Sequence, residues 1–247
     1  MKDHFLLAGV LLLLPAVGIS AAQDAAPLTA GEVVDRMVQH DAERQGLTQG
    51  YAGMRRYVLQ NDGMHKRAEM LVRVSGDSDG TKHFEVVSVE GWKAAQNHVL
   101  RKMLESESET SHPEERAKTR LCPDNYEFTM VGRENVADRS AYVIEVTPKR
   151  HDKLLFEGRI WVDIKDYALV RADGSPAKNP SFWTKHVHFV HTYQKSGPFW
   201  FPHSTESVTD ARIFGRTDLT IEYFNYKPNV TVPAGALATT AAGFRRQ

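Results

Sequence analysis

The sequence predicts a mainly antiparallel β fold of the α+β class, and three observations carry that expectation. Ten runs rich in β-branched and aromatic residues fill most of the chain. Short turn signals separate them, among them Asn61-Asp62-Gly63, Gly76 to Gly80, Lys165-Asp166 and Ser196-Gly197-Pro198. Such brief connections join antiparallel neighbours, because a parallel pair needs a crossover of roughly a dozen residues or more. Only two stretches carry clear helical spacing.

From the N-terminus, residues 1–22 read as a secretory signal peptide: Lys2, an apolar run from Phe5 to Ile19, then Ser20 and Ala22 ahead of Gln23. The apolar run is about fifteen residues, against roughly twenty for a bilayer span, and Pro15 breaks its second half. No cysteine follows it for lipoprotein-type acylation, so the mature chain is expected to be exported, periplasmic and soluble, touching membranes only transiently. Thr29-x-x-Glu32 spells a capping box, in which each side chain satisfies an orphan backbone N–H. Behind it Val33, Val34, Met37, Val38 and Ala42 form one stripe of an amphipathic helix. A second helix is expected from Gly91 to Glu107, with Trp92, Ala95, Val99, Leu100, Met103 and Leu104 at helical spacing. The charged stretch Glu105–Arg120 reads as an exposed loop or solvated helical turn.

The expected strands are Tyr51–Gln60, Lys66–Ser75, Thr81–Val89, Tyr126–Arg133, Ser140–Pro148, Leu154–Ile164, Tyr167–Ala172, Trp183–Lys195, Phe199–Thr209 and Arg212–Tyr226. No linker or change of composition interrupts residues 23–227, so they form one domain, and residues 228–247 are expected to be a flexible tail.

Several strands are apolar on one parity: Met70, Val72, Val74; Tyr126, Phe128, Met130; Tyr142, Ile144, Val146; Ile160, Val162; Val187, Phe189; Leu219, Ile221, Tyr223. The other parity carries Glu69, Arg73, Glu127, Glu145, Arg159 and Glu222, so one face of the sheet is wet and one buried. Two helices cover only part of such a face. The remainder either packs into a filled core or curls around something apolar.

The chain has 247 residues, 31 Lys+Arg against 31 Asp+Glu, and 25% charged residues. Zero net charge argues against a nucleic-acid partner, which calls for a basic face. Cys122 is the single cysteine, so no internal disulfide forms. Three chemical signatures dissolve on inspection. Gly76-Asp77-Ser78-Asp79-Gly80 spells a nucleophile elbow, but that device lifts its serine from strand into helix, and here a strand follows. His186-x-His188 puts two imidazoles on one strand face, while His191 has the opposite parity and a catalytic zinc takes three protein ligands. Asp163 and Asp166 flank a tight turn, where carboxylates serve the turn itself. No phosphate-cradling glycine loop is present. We expect no enzyme activity, no metal and no cofactor.

Val146-Thr147-Pro148-Lys149, then Phe156 to Asp163 with Trp161-Val162-Asp163, then Tyr167-Ala168-Leu169-Val170-Arg171, resembles the bacterial outer-membrane lipoprotein-sorting family. Its members include the periplasmic carrier LolA, its receptor LolB and related lipid-binding and sigma-factor-regulator sensor domains. The resemblance implies a strongly curved, incomplete β-barrel of about 10–11 strands, with helices across its mouth and an apolar cavity that takes acyl chains. Candidate cavity residues are then Val34, Met37, Val38, Met70, Val72, Val99, Met103, Phe128, Met130, Ile144, Ile160, Val162, Phe189 and Ile221. The alternative role is an envelope sensor acting through protein contacts, for which Trp183, Trp200 and Phe201, beside Pro180 and Pro202, offer either an exposed aromatic patch or packed corners.

Overall fold

The computed structural model describes residues 27–179, 184–212 and 215–230. The expected signal peptide, the tail from residue 231 and Trp183 lie outside them. Helix α1 spans Ala30–Gly46 and opens on the expected capping box, the Thr29 hydroxyl accepting from the Glu32 N–H at 3.3 Å and the Glu32 carboxylate accepting from the Thr29 N–H at 2.8 Å. Strands β1 (Thr48–Asn61), β2 (Lys66–Asp77) and β3 (Lys82–Gly91) follow. A helical segment then comprises α2 (Lys93–Ala95), a π-helical turn (Gln96–Leu100), α3 (Arg101–Ser111) and α4 (Pro113–Thr119). The chain continues through β4 (Tyr126–Val136), β5 (Arg139–Pro148), β6 (Phe156–Asp163), β7 (Leu169–Pro176), β8 (Thr184–Ser196), β9 (Phe199–Ala211) and β10 (Gly215–Val230).

The ten described strands join one antiparallel sheet in the order β3-β2-β1-β10-β9-β8-β7-β6-β5-β4. Two meanders are thus joined where the first strand pairs with the last, Tyr57 opposite Ile221. Strands β3 and β4 are the two edges, and the helical segment connects them. The sheet is therefore a curved, unclosed barrel, and the expected α+β, mainly β class is correct.

The helical region differs from expectation in two respects. Part of Glu105–Arg120 is ordered helix, with Pro113 at the first turn of α4, where its missing N–H costs nothing. The π turn takes one residue more per hydrogen-bonded ring than an α turn and breaks the spacing that placed Val99 inside. Leu100 is fully buried, while Val99 is exposed. The last strand also runs to Val230, three residues into the expected tail.

Inward side chains form two separate cores. In one, Met70, Val72, Tyr57 and Ile221 lie under Ala95, Leu100 and Leu104 of the helical segment. In the other, Ile144, Val146, Ile160 and Val162 lie under Val33, Val34 and Met37 of α1. The outer face is not uniformly wet. Ala141, Val143, Trp161 and Val170 are buried there as a third small cluster, and the Arg171 guanidinium lies 4.8 Å over the Trp161 ring.

Candidate functional site: a cleft between two cores

Between the helices and the sheet lies a cleft made of two recesses of about 330 and 520 Å³, which share Asp41, Arg44, Gln45, Arg116 and Tyr193 in their linings. Each volume falls in the roughly 300–1,000 Å³ range of small-molecule sites. The smaller recess has Met37, Val38, Ala42, Leu121 and Leu169 as apolar lining, with Arg44, Arg116 and Arg120 beside them. The larger is amphipathic, with Phe199, Phe201 and Tyr223 next to Arg55, Lys82, Glu107 and His191.

A charged group ties sheet to helix in the larger recess. Arg55 projects inward from β1 and is only 2% exposed. Its Nε donates to the Tyr226 hydroxyl at 2.8 Å and its Nη1 to Glu107 of α3 at 2.7 Å. Its guanidinium also lies 4.9 Å over the Tyr223 ring. The same carboxylate accepts from the Lys82 ammonium at 2.7 Å. Burial alone raises a carboxyl pKa, but the two cations outweigh it and hold Glu107 at about 2. Burial opposes the Arg55 charge, and Glu107 more than restores it. His191 lies against the Tyr193 and Tyr223 rings and shares a hydrogen bond with the Thr205 hydroxyl. Burial pushes its pKa down to about 4, leaving a neutral imidazole at pH 7.

The fourteen candidate cavity residues do not form one site. Met37 and Val38 line the smaller recess. Met70, Val72, Met103 and Ile221 belong to the first core. Val34, Phe128, Met130, Ile144, Ile160, Val162 and Phe189 belong to the second. Val99 is exposed and belongs to neither. Of the expected aromatic patch, the two described members, Trp200 and Phe201, are not exposed. Phe201 is buried because strand alternation turns it inward, 5.4 Å from the Tyr226 ring. Trp200 is half-buried, with Arg139 5.1 Å over its ring and its indole N–H donating to Asp166 at 3.2 Å.

The Gly76–Gly80 segment is the β2–β3 hairpin turn, closed by the Gly80 N–H donating to the Asp77 carbonyl at 2.9 Å. The Asp163 carboxylate accepts from the backbone N–H groups of Lys165 and Asp166 and pairs with Arg139 at 2.6 Å, a turn-building role. Among the described residues, no three His, Cys, Asp or Glu side chains group as metal ligands. No described helix is long and apolar enough to cross a membrane.

The reading from sequence missed Arg55, Lys82, Glu107 and Tyr193, and treated His191 only as a failed metal ligand. The signal was there: Val187, Phe189, His191 and Tyr193 share one parity of β8, and Glu107 continues the apolar stripe of Leu100 and Leu104.

Residues 85–179 match the MucB/RseB N-terminal domain. The expected family resemblance is borne out there, since the Val146–Arg171 signature lies inside the matched segment. The MucB/RseB match spans less than half of the chain, contributing Glu107, Arg116, Arg120, Leu121 and Leu169 to the cleft, whereas α1, Arg55 and His191 lie outside it. No curated protein matches the chain. Among solved structures, a DUF1329 family protein from Desulfovibrio piger is similar at 16% identity over 86% of this chain and 98% of its own, with a TM-score of 0.43. A putative outer membrane lipoprotein-sorting protein domain from Vibrio parahaemolyticus is similar at 10% identity over 84% and 98%, TM-score 0.38. A LolA superfamily protein from Nitrosomonas europaea is similar at 10% identity over 85% and 97%, TM-score 0.37.

Proposed function

We propose that this chain is an exported, non-catalytic binding protein that takes an acyl chain of a lipid or lipoprotein into the cleft between its helices and its sheet, as a carrier. The observation that carries this reading is the division of the interior into two cores with an amphipathic cleft between them. Each core is roofed by a different helical element, so α1 and the helical segment can separate without either core losing its own roof. Widening the cleft in that way makes room for a chain, and burial gains about 0.8 kcal/mol per CH₂, enough for useful affinity without polar recognition. Release then needs either closure of the cleft or a partner that binds the chain better.

Native mass spectrometry of protein purified from its exported location, with solvent extraction of bound material, tests the proposal. A lipid or lipopeptide adduct that disappears in Met37→Glu and persists in Val99→Glu is expected, because Met37 lines the cleft and Val99 faces solvent. A clean unliganded mass together with no uptake of a fluorescent fatty acid overturns it.

The MucB/RseB match favours a second reading, an envelope sensor that binds a protein regulating transcription. Calorimetry with the purified periplasmic segment of an anti-sigma protein encoded beside it decides that case: saturable binding supports a sensor, and none excludes that partner.

A further inference from the structure

The smaller recess holds more positive charge than its neighbourhood neutralises. Arg44 has a half-share of partners, its Nη1 donating to the Asp166 carbonyl at 3.0 Å and its Nη2 lying 3.7 Å from the exposed carboxylate of Asp41. The guanidinium groups of Arg116 and Arg120 make no ion pair and no hydrogen bond with any described residue. Asp79 is the acid that feels Arg116, but its carboxylate is already engaged by the Thr81 N–H at 2.8 Å. Arg116 is nevertheless placed rather than loose. It is half-buried, and its guanidinium packs so closely on Gly80 that a Cβ there would collide with it. Met37, Val38, Leu121 and Leu169 supply an apolar surface beside these cations.

We propose that Arg44, Arg116 and Arg120 bind the anionic headgroup, carboxylate or phosphate, of a single-chain amphiphile whose first methylenes lie on Met37, Val38, Leu121 and Leu169. This rests on the acyl-binding reading above and adds the charge and position of the headgroup. A guanidinium presents a planar fork of donors matched to both oxyanions, and two forks with no ion-pair partner among the described residues, beside one apolar surface, are the arrangement an ionised amphiphile satisfies. The orientation follows: headgroup at the arginines near the end of α1, chain directed along the cleft.

The test uses the full mature chain and three probes: a fluorescent single-chain fatty acid, its methyl ester, and inorganic phosphate. The fatty acid is expected to bind at least tenfold tighter than the ester, with a preference that shrinks as salt rises. Arg116→Gln with Arg120→Gln is expected to bring the acid down to the affinity of the ester while leaving the ester unchanged. Neither arginine makes an ion pair among the described residues, so the variant is expected to keep the parent's thermal midpoint. Equal binding of acid and ester by the parent overturns the headgroup site and leaves the acyl reading standing. Retention of the preference in the double variant assigns it elsewhere and also overturns the site. Phosphate binding that the double variant loses, with no binding of either acyl probe, supports the anion site and overturns the acyl reading. Failure of all three probes overturns both.

Discussion

The Arg55 guanidinium and the Glu107 carboxylate meet at 2.7 Å, one from β1 and one from α3, and with Lys82 of β3 on the same carboxylate this pair ties the sheet to the helical segment in the cleft. Removing one partner strands the other. Glu107→Gln is expected to destabilise the fold by roughly 3–5 kcal/mol, the usual cost of leaving a buried charge uncompensated. Replacing both with apolar residues is expected to cost less. Urea denaturation of the single and double variants checks this, and a loss below about 1 kcal/mol for Glu107→Gln contradicts it.

Stability is expected to fall in two acid steps. His191 has a folded pKa lowered to about 4 from an ordinary value of 6.5, so the unfolded chain takes up this proton first. Its contribution is complete above pH 6.5 and is lost as pH falls towards 4. Glu107, held at about 2, contributes above its ordinary value of 4.5 and loses that contribution as pH falls through 2. Thermal melts across this range, with His191→Phe flattening only the upper step, separate the two.

Core and surface substitutions on residues of like chemistry are expected to diverge. Ile144 is fully buried beneath α1, so Ile144→Ala is expected to cost roughly 2–5 kcal/mol. Val99 is exposed within the π turn, so Val99→Ala is expected to change stability by no more than about 0.5 kcal/mol. Denaturant midpoints at constant slope distinguish them.

These contrasts show what the sequence made legible. Alternation is local, so Met70, Val72, Ile144, Ile160 and Val162 could be placed on the buried face without knowing which strands meet. The cleft was harder to read because it is lined by exceptions to that pattern. Arg55 stands beside Arg56 on a strand with apolar residues on both parities, so β1 alone does not reveal which arginine turns inward. Pairing settles it: Arg55 is opposite Val72, whereas Arg56 is opposite Leu71 and bonds Glu69 on the outer face. The gap between the cores depends on β1 meeting β10, which no local pattern announces. Val99 was misplaced for a different reason, since a π turn has no signature in spacing that assumes an α period.

Gly80 offers a test of the headgroup site without removing any charge. Its φ is +89°, in the left-handed region, and the Arg116 guanidinium fills the space a Cβ there would take. Gly80→Ala is expected to cost more than about 1 kcal/mol through backbone strain and to displace Arg116. The preference for fatty acid over methyl ester is then expected to narrow, read by the same titrations at a temperature where the variant is fully folded. An unchanged preference in a folded variant contradicts the placement.

The pairing of Tyr57 with Ile221 carries a consequence for how the molecule is made. Strand β1 is synthesised early and its partner β10 is the last of the described strands to appear, so until then β1 has β2 on one side and a bare row of N–H and C=O groups on the other. Contacts so distant along the chain close slowly, and an unpaired edge in the meantime invites pairing with the wrong strand. A nascent chain halted before residue 215 is therefore an incomplete sheet with two half-finished cores, vulnerable to proteases and aggregation, and synthesis of β10 is the event that commits it to the native state.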